Sequence, residues 1–185
     1  MDDFLDARTF FVLMAARKLG NYLYAWGGES ATEGGFDCSG FVSLCLMETA
    51  RAWPGIYTRG RSTAAGLYSY YKKCPDITKE PDLKPGCLIF YRHPGKRISH
   101  VAIHAVTVPN IRLTEYGKGK TVPVGPVAFE AGGSGSKAIS PRAALLDSAG
   151  VRMTASTFSG GREWLAKDPF ILLAKSHGIS ETKNS

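Results

Sequence analysis

The sequence predicts an α+β fold in which helices pack on one side of an antiparallel β-sheet. Three observations lead there. The first half of the chain places apolar residues at three- and four-residue steps, and beyond Pro81 to Gly86 the apolar period becomes two. The chain has 185 residues, enough for one good core and short for two, and no stretch of it reads as a linker. We therefore expect one domain over residues 1–176 and a frayed tail from His177 to Ser185.

From Asp3 to Leu19 the residues Leu5, Phe10, Leu13, Met14 and Ala16 follow helical spacing, and Gly20 supplies a stop. Tyr22 to Gly35 mixes aromatic residues with Gly27, Gly28, Gly34 and Gly35, so it reads as a loop whose glycines allow close backbone approach. A second helix starts near Asp37 or Cys38 and runs through Ala50, with Cys38, Phe41, Val42, Cys45 and Leu46 along one stripe. Thr63 to Lys72 reads as a third helix. Cys87–Arg92 and Ile98–Val106 then form a hairpin about the His93 to Arg97 turn. Val122–Ala131 and Val151–Ser156 read as further strands, Gly132–Ser136 as a loop and Phe170–Ala174 as a closing strand.

Composition narrows the function classes. A net charge of +7 suits a polyanionic partner, either nucleic acid or an anionic cell wall. The basic residues are dispersed, with no arginine-rich block and no aromatic RNA-binding signature, so nucleic acid is not the expected partner. The most apolar runs, Phe10–Ala16 and Phe170–Ala174, are far shorter than the ~20 residues a membrane span needs, so no span is expected. Cys38, Cys45, Cys74 and Cys87 contain no CxxC pair, which argues for free thiols and against a structural zinc site.

The segment Phe36-Asp37-Cys38-Ser39-Gly40-Phe41-Val42 puts a sulfur at a helix start, where free N–H groups and the helix dipole stabilise negative charge. The plain alternative is a small buried side chain, which is how Cys45, two turns deeper, reads. The glycine-rich approach favours a nucleophile at Cys38. Such a thiol needs a base, and Ile98-Ser99-His100-Val101-Ala102-Ile103-His104 offers two histidines. On a strand, His100, Ala102 and His104 share one face, and the small Ala102 would let a helix start approach until His100 meets Cys38. His104 lies roughly 13 Å further along, so we read it as structural or as part of the rim, and the two histidines do not form a metal pair.

In Val127-Ala128-Phe129-Glu130-Ala131 the carboxylate stands alone among apolar neighbours. Glu130 is the candidate to orient the base, and a solvated glutamate near a strand end is the other reading. Two readings fit Asp37: a cap on the second helix, or an acid that binds a substrate ammonium. Tyr24 and Trp26 bring large rings upstream of the thiol, to wall a cleft or to seal the core, and the Tyr24 hydroxyl could polarise a carbonyl.

Taken together, Tyr24-Ala25-Trp26-Gly27-Gly28, Phe36 to Val42, Pro85-Gly86-Cys87-Leu88-Ile89-Phe90 and Ser99-His100-Val101-Ala102-Ile103 resemble the NlpC/P60 family of cell-wall cysteine peptidases over about residues 20–131. The resemblance implies a papain-like core, hydrolysis of stem peptides in peptidoglycan, and no cofactor. It implies Cys38 as nucleophile, His100 as base, Tyr24 as the active-site tyrosine, Trp26 in the active-site wall, and Asp37 and Ser39 as residues flanking a substrate amine. The third polar member of the family is usually a histidine about a dozen residues after the base. Here the nearest match is Glu130, after an insertion from Thr107 to Val122. The start Met1-Asp2-Asp3-Phe4 lacks the positive charge of a secretory signal, and the layout resembles bacteriophage members of the family, so we expect delivery by a phage particle, a membrane lesion or a secretion machine. The rival readings on this fold are a thiol acyltransferase and a non-catalytic wall-binding module; no sequence feature specifies an oligomeric state.

Overall fold

The structure is a computed structural model that describes residues 3–108, 113–114, 121–122, 125–133, 149–155 and 162–176. Three helices come first: α1 (Asp3–Ala16), α2 (Cys38–Ala52) and α3 (Ala64–Tyr70). Between α1 and α2 the chain makes a two-residue antiparallel pair, β1 (Glu29–Ser30) with β2 (Gly35–Phe36). The second half supplies β3 (Leu88–Arg92), β4 (His100–Val108), β5 (Leu113–Thr114), β6 (Thr121–Val122), β7 (Gly125–Gly132), β8 (Gly150–Ala155) and β9 (Glu163–Lys167), followed by α4 (Phe170–Ser176). Five of these strands form one antiparallel sheet in the order β8-β7-β4-β3-β9. The α+β expectation holds.

Alternation along the strands sorts the sheet into two faces. Leu88, Phe90, Val101, Ile103, Phe129 and Val151 join the main core, which they share with Phe41, Val42, Cys45 and Leu46 of α2. Ile89, Tyr91, Ala102, Ala128 and Ala166 form a second, smaller cluster. The helix therefore packs on the face opposite to Ala102, which corrects the expectation that Ala102 makes room for it. His100 is instead the first residue of β4, at the end of the strand, and meets the start of α2 there.

Beyond Cys38 the α2 stripe is fully buried, and each of Phe41, Val42 and Leu46 contributes about 1.5–3 kcal/mol by leaving water. Asp37 caps the helix, accepting from the Gly40 N–H at 2.6 Å. Position 40 must be glycine, because a Cβ there would stand 2.2 Å from the Gly28 carbonyl oxygen. That contact locks the glycine-rich loop onto the first turn of α2, as the loop composition predicts.

Several boundaries differ from expectation. Helix α1 ends at Ala16, three residues early, in a run of turns. Phe170–Ala174 is helical rather than a strand. The reason is local: Asp168 accepts from the Phe170 N–H at 3.0 Å and Pro169 follows it, a cap and proline start signal that outweighs the apolar run. Asp168 also pairs with buried Arg8 at 2.7 Å, and Phe170 packs edge-on against Phe11 at 5.7 Å, so this helix is stapled to α1. The strand that closes the sheet is β9, which pairs with β3 from Glu163 to Lys167 and which the sequence did not announce. Val122 belongs to the separate β5–β6 pair, and the long strand starts at Gly125. Most of the Gly132–Ser136 loop and the tail from His177 lie outside the described residues. Among the described residues no helix is long and apolar enough to cross a membrane.

Candidate active site

A cleft of about 710 Å³ opens where the start of α2 meets the ends of β4, β7 and β8. Cys38, Tyr24, Asp37, Ser39, His100 and Glu130 all line it, and Trp26 stands at its mouth with two thirds of its surface exposed. The structure thus brings every expected site residue to one place. Trp26 is a rim residue and not part of the core.

Cys38 is the first residue of α2, and its sulfur lies close enough to the His100 ring to raise the ring's pKa. The Nε2 atom of His100 is 2.6 Å from Oε2 of Glu130, so Nδ1 is the ring nitrogen that Glu130 does not occupy. His100 and Glu130 meet because the β4–β7 register, with Ile103 opposite Phe129, puts them diagonally on the same face. Of the two readings of Glu130, the structure shows the partnered one.

Electrostatics follow from this contact. Burial alone would lower the His100 pKa, but the Glu130 carboxylate, the hydrogen bond it accepts from the ring and the nearby Cys38 sulfur outweigh it and hold the ring well above the ordinary imidazole value. Burial would likewise raise Glu130, yet His100 and Arg152 hold its carboxyl well below the usual range. Both shifts favour the charged pair, an imidazolium facing a carboxylate. Tyr24 is pushed above the ordinary phenol value, first by burial and then by Cys38, Asp37 and Glu130, so its hydroxyl stays protonated and able to donate. His104 is fully buried, and desolvation lowers it to about 4, so it is neutral and structural.

Asp37 shows the capping role, and both of its oxygens are engaged. Oδ1 accepts from Gly40 N and from the Ser39 hydroxyl at 2.9 Å, while Oδ2 pairs with Arg61. An incoming ammonium would have to share Oδ2 with that guanidinium. Ser39, 4% exposed, spends its hydroxyl on Asp37.

Sequence reasoning missed Arg61, Tyr91, Arg152 and Arg162, all of which line the cleft. Arg152 left one signal: it alternates with Val151 and Met153, which places a cation on the opposite face of its strand. Arg61 left none, because it sits in a loop 24 residues from its partner.

The model of the NlpC/P60 family matches residues 21–124, more than half of the chain, including Cys38 and His100. The chain belongs to the NlpC/P60 family. NlpC/P60 proteins are cysteine peptidases and amidases that act on peptidoglycan peptides, which gives this chain a cell-wall peptidase or amidase type of function. The α+β architecture described above is consistent with the papain-like NlpC/P60 fold. No curated protein sequence matches the chain.

Proposed function

We propose that this chain hydrolyses an amide bond in the stem peptides of peptidoglycan, with Cys38 as nucleophile, His100 as proton carrier and Glu130 as the group that orients His100. The observation that carries the reading is the grouping of Cys38, His100 and Glu130 in an open cleft, with the carboxylate 2.6 Å from the ring's Nε2 and the sulfur near enough to raise the ring's pKa. In this reading the Cys38 sulfur attacks the amide carbon and its proton resides on His100. The developing oxyanion is met by N–H groups at the start of α2 and by the Tyr24 hydroxyl, which faces Cys38. His100 passes its proton to the leaving amine, and a thioester remains on Cys38. Water then gives a proton to His100 and attacks the thioester, releasing a carboxylic acid and restoring the thiol. Its place of action is the cell wall, where this substrate lies.

The test is release of new amine groups and peptide fragments from purified peptidoglycan by the wild type and by Cys38→Ala, with mass spectrometry locating the cut. Wild type should release fragments and Cys38→Ala none. If wild type cuts neither intact wall nor isolated stem peptides, and Cys38 reacts with an alkylator no faster than a free thiol, the catalytic reading is overturned.

A further inference from the structure

Glu130 is held from both sides. Its Oε2 faces His100, while Oε1 accepts from Arg152 Nε at 3.0 Å and from Nη2 at 2.9 Å, a two-pronged grip by one guanidinium. The β7–β8 register makes Glu130 and Arg152 direct cross-strand partners, so the grip is built into the sheet. The backbone leaves room for it at one point. A Cβ at Gly132 would stand 2.6 Å from Glu130 Oε1 and 2.7 Å from Arg152 Nη2, so any side chain there displaces the fork.

We propose that Arg152 is a positioning residue, whose fork on Oε1 keeps Oε2 of Glu130 aimed at the His100 ring. The inference rests on Cys38 as the nucleophile and extends the working set to four residues. A lone carboxylate on a strand can rotate about its terminal bond and can take up the proton of the base it serves. A bidentate cation removes both freedoms. The other groups facing Glu130 cannot replace it: Tyr24 and Tyr91 are raised above the ordinary phenol value by burial and stay neutral, Arg162 acts on Tyr91, and Cys38 lies beyond the ring. The charge and direction of Glu130 are set by His100 from β4 and Arg152 from β8.

The experiment measures the rate of iodoacetamide alkylation at Cys38 against pH, read by mass spectrometry on the full chain, alongside hydrolysis of peptidoglycan. Arg152→Gln is expected to move the acid limb of the alkylation profile up by about one pH unit and to lower hydrolysis about 10- to 100-fold. Arg152→Lys keeps the charge and should restore most of the limb. Gly132→Ala keeps both charges but displaces the fork through the ends of two flexible side chains, so it should slow hydrolysis with a smaller movement of the limb. In a Glu130→Gln background, Arg152→Gln should cost no more than about twofold further. The proposal is overturned if Arg152→Gln leaves the limb in place and loses activity only in proportion to folded protein, or if the two substitutions act independently. A wild-type profile no steeper or faster than that of a free thiol overturns the nucleophile itself, a different result from an unmoved limb.

Discussion

Strand β4 carries two histidines four residues apart, and helix α2 carries two cysteines seven apart, yet the members of each pair live in different chemistry. His100 and Cys38 stand at the first residue of their elements, where both border an open cleft and each other. His104 and Cys45 stand in the interior at 0% exposure. Desolvation lowers His104 to about 4, and it is also what dominates at Cys45, raising that thiol to about 12, so both are neutral packing groups. At His100 the same desolvation is overcome by a carboxylate 2.6 Å away. The end of an element brings partners and access, and its middle brings burial, so residue type alone does not assign reactivity.

The largest expected break in this comparison comes from alanine at the two positions of α2. Cys38→Ala should lower peptide release by about a thousandfold or more, with the fold intact. Cys45→Ala should keep activity within a few-fold while costing about 1 kcal/mol in a urea titration. Loss of activity in a folded Cys45→Ala protein would erase the contrast.

The histidines should separate by the sign of their pH effect on stability. His104 has a folded pKa below its unfolded value, so the unfolded chain binds the extra proton and stability falls as pH drops from about 6.5 toward 4. The loss attributable to it is about 3 kcal/mol over that window, and His104→Leu should remove it in urea titrations at several pH values. His100 is raised, so its contribution is fully present below the unfolded value and is lost as pH rises through the folded one. A His104→Leu protein with unchanged acid sensitivity would show that the buried imidazole is not the cause.

The smallest effect concerns the cap at the start of α2, next to Cys38. Asp37→Ala should cost about 1 kcal/mol of stability by thermal denaturation, through the lost acceptor for Gly40 N–H. Its effect on peptide release should exceed that stability loss, since Cys38 is the next residue. Equal loss in both measures would mean that the cap supports the helix without aiming the thiol.

Much of the site was legible because it is local. The capped start at Asp37, the glycine approach and the buried stripe all lie within a few residues of Cys38, and helical period alone places the sulfur at the first turn. His100 was legible from strand period as one of two histidines on a strand face, although the room expected at Ala102 is not what lets it meet α2. The face that receives α2 was not, because alternation names two faces without saying which one the helix covers; Val101 and Ile103 took that place and Ala102 the other. The helical Phe170–Ala174 segment shows a different lesson, since its Asp168-Pro169 start signal was present in the sequence beneath a strand-like apolar run.

By itself the sequence determined the α+β class, the place of Cys38 on a helix and the place of His100 on a strand, because these follow from periods and caps that span a turn or two of chain. Only the tertiary structure decided that Glu130 is a partner and not a solvated acid, that Arg61 neutralises Asp37, and that Arg152 grips Glu130. Those contacts join residues 30, 24 and 22 positions apart. They depend on loop closure and on the register of neighbouring strands, where a slip of one residue would turn Glu130 or Arg152 to the other face and leave the cleft with neither.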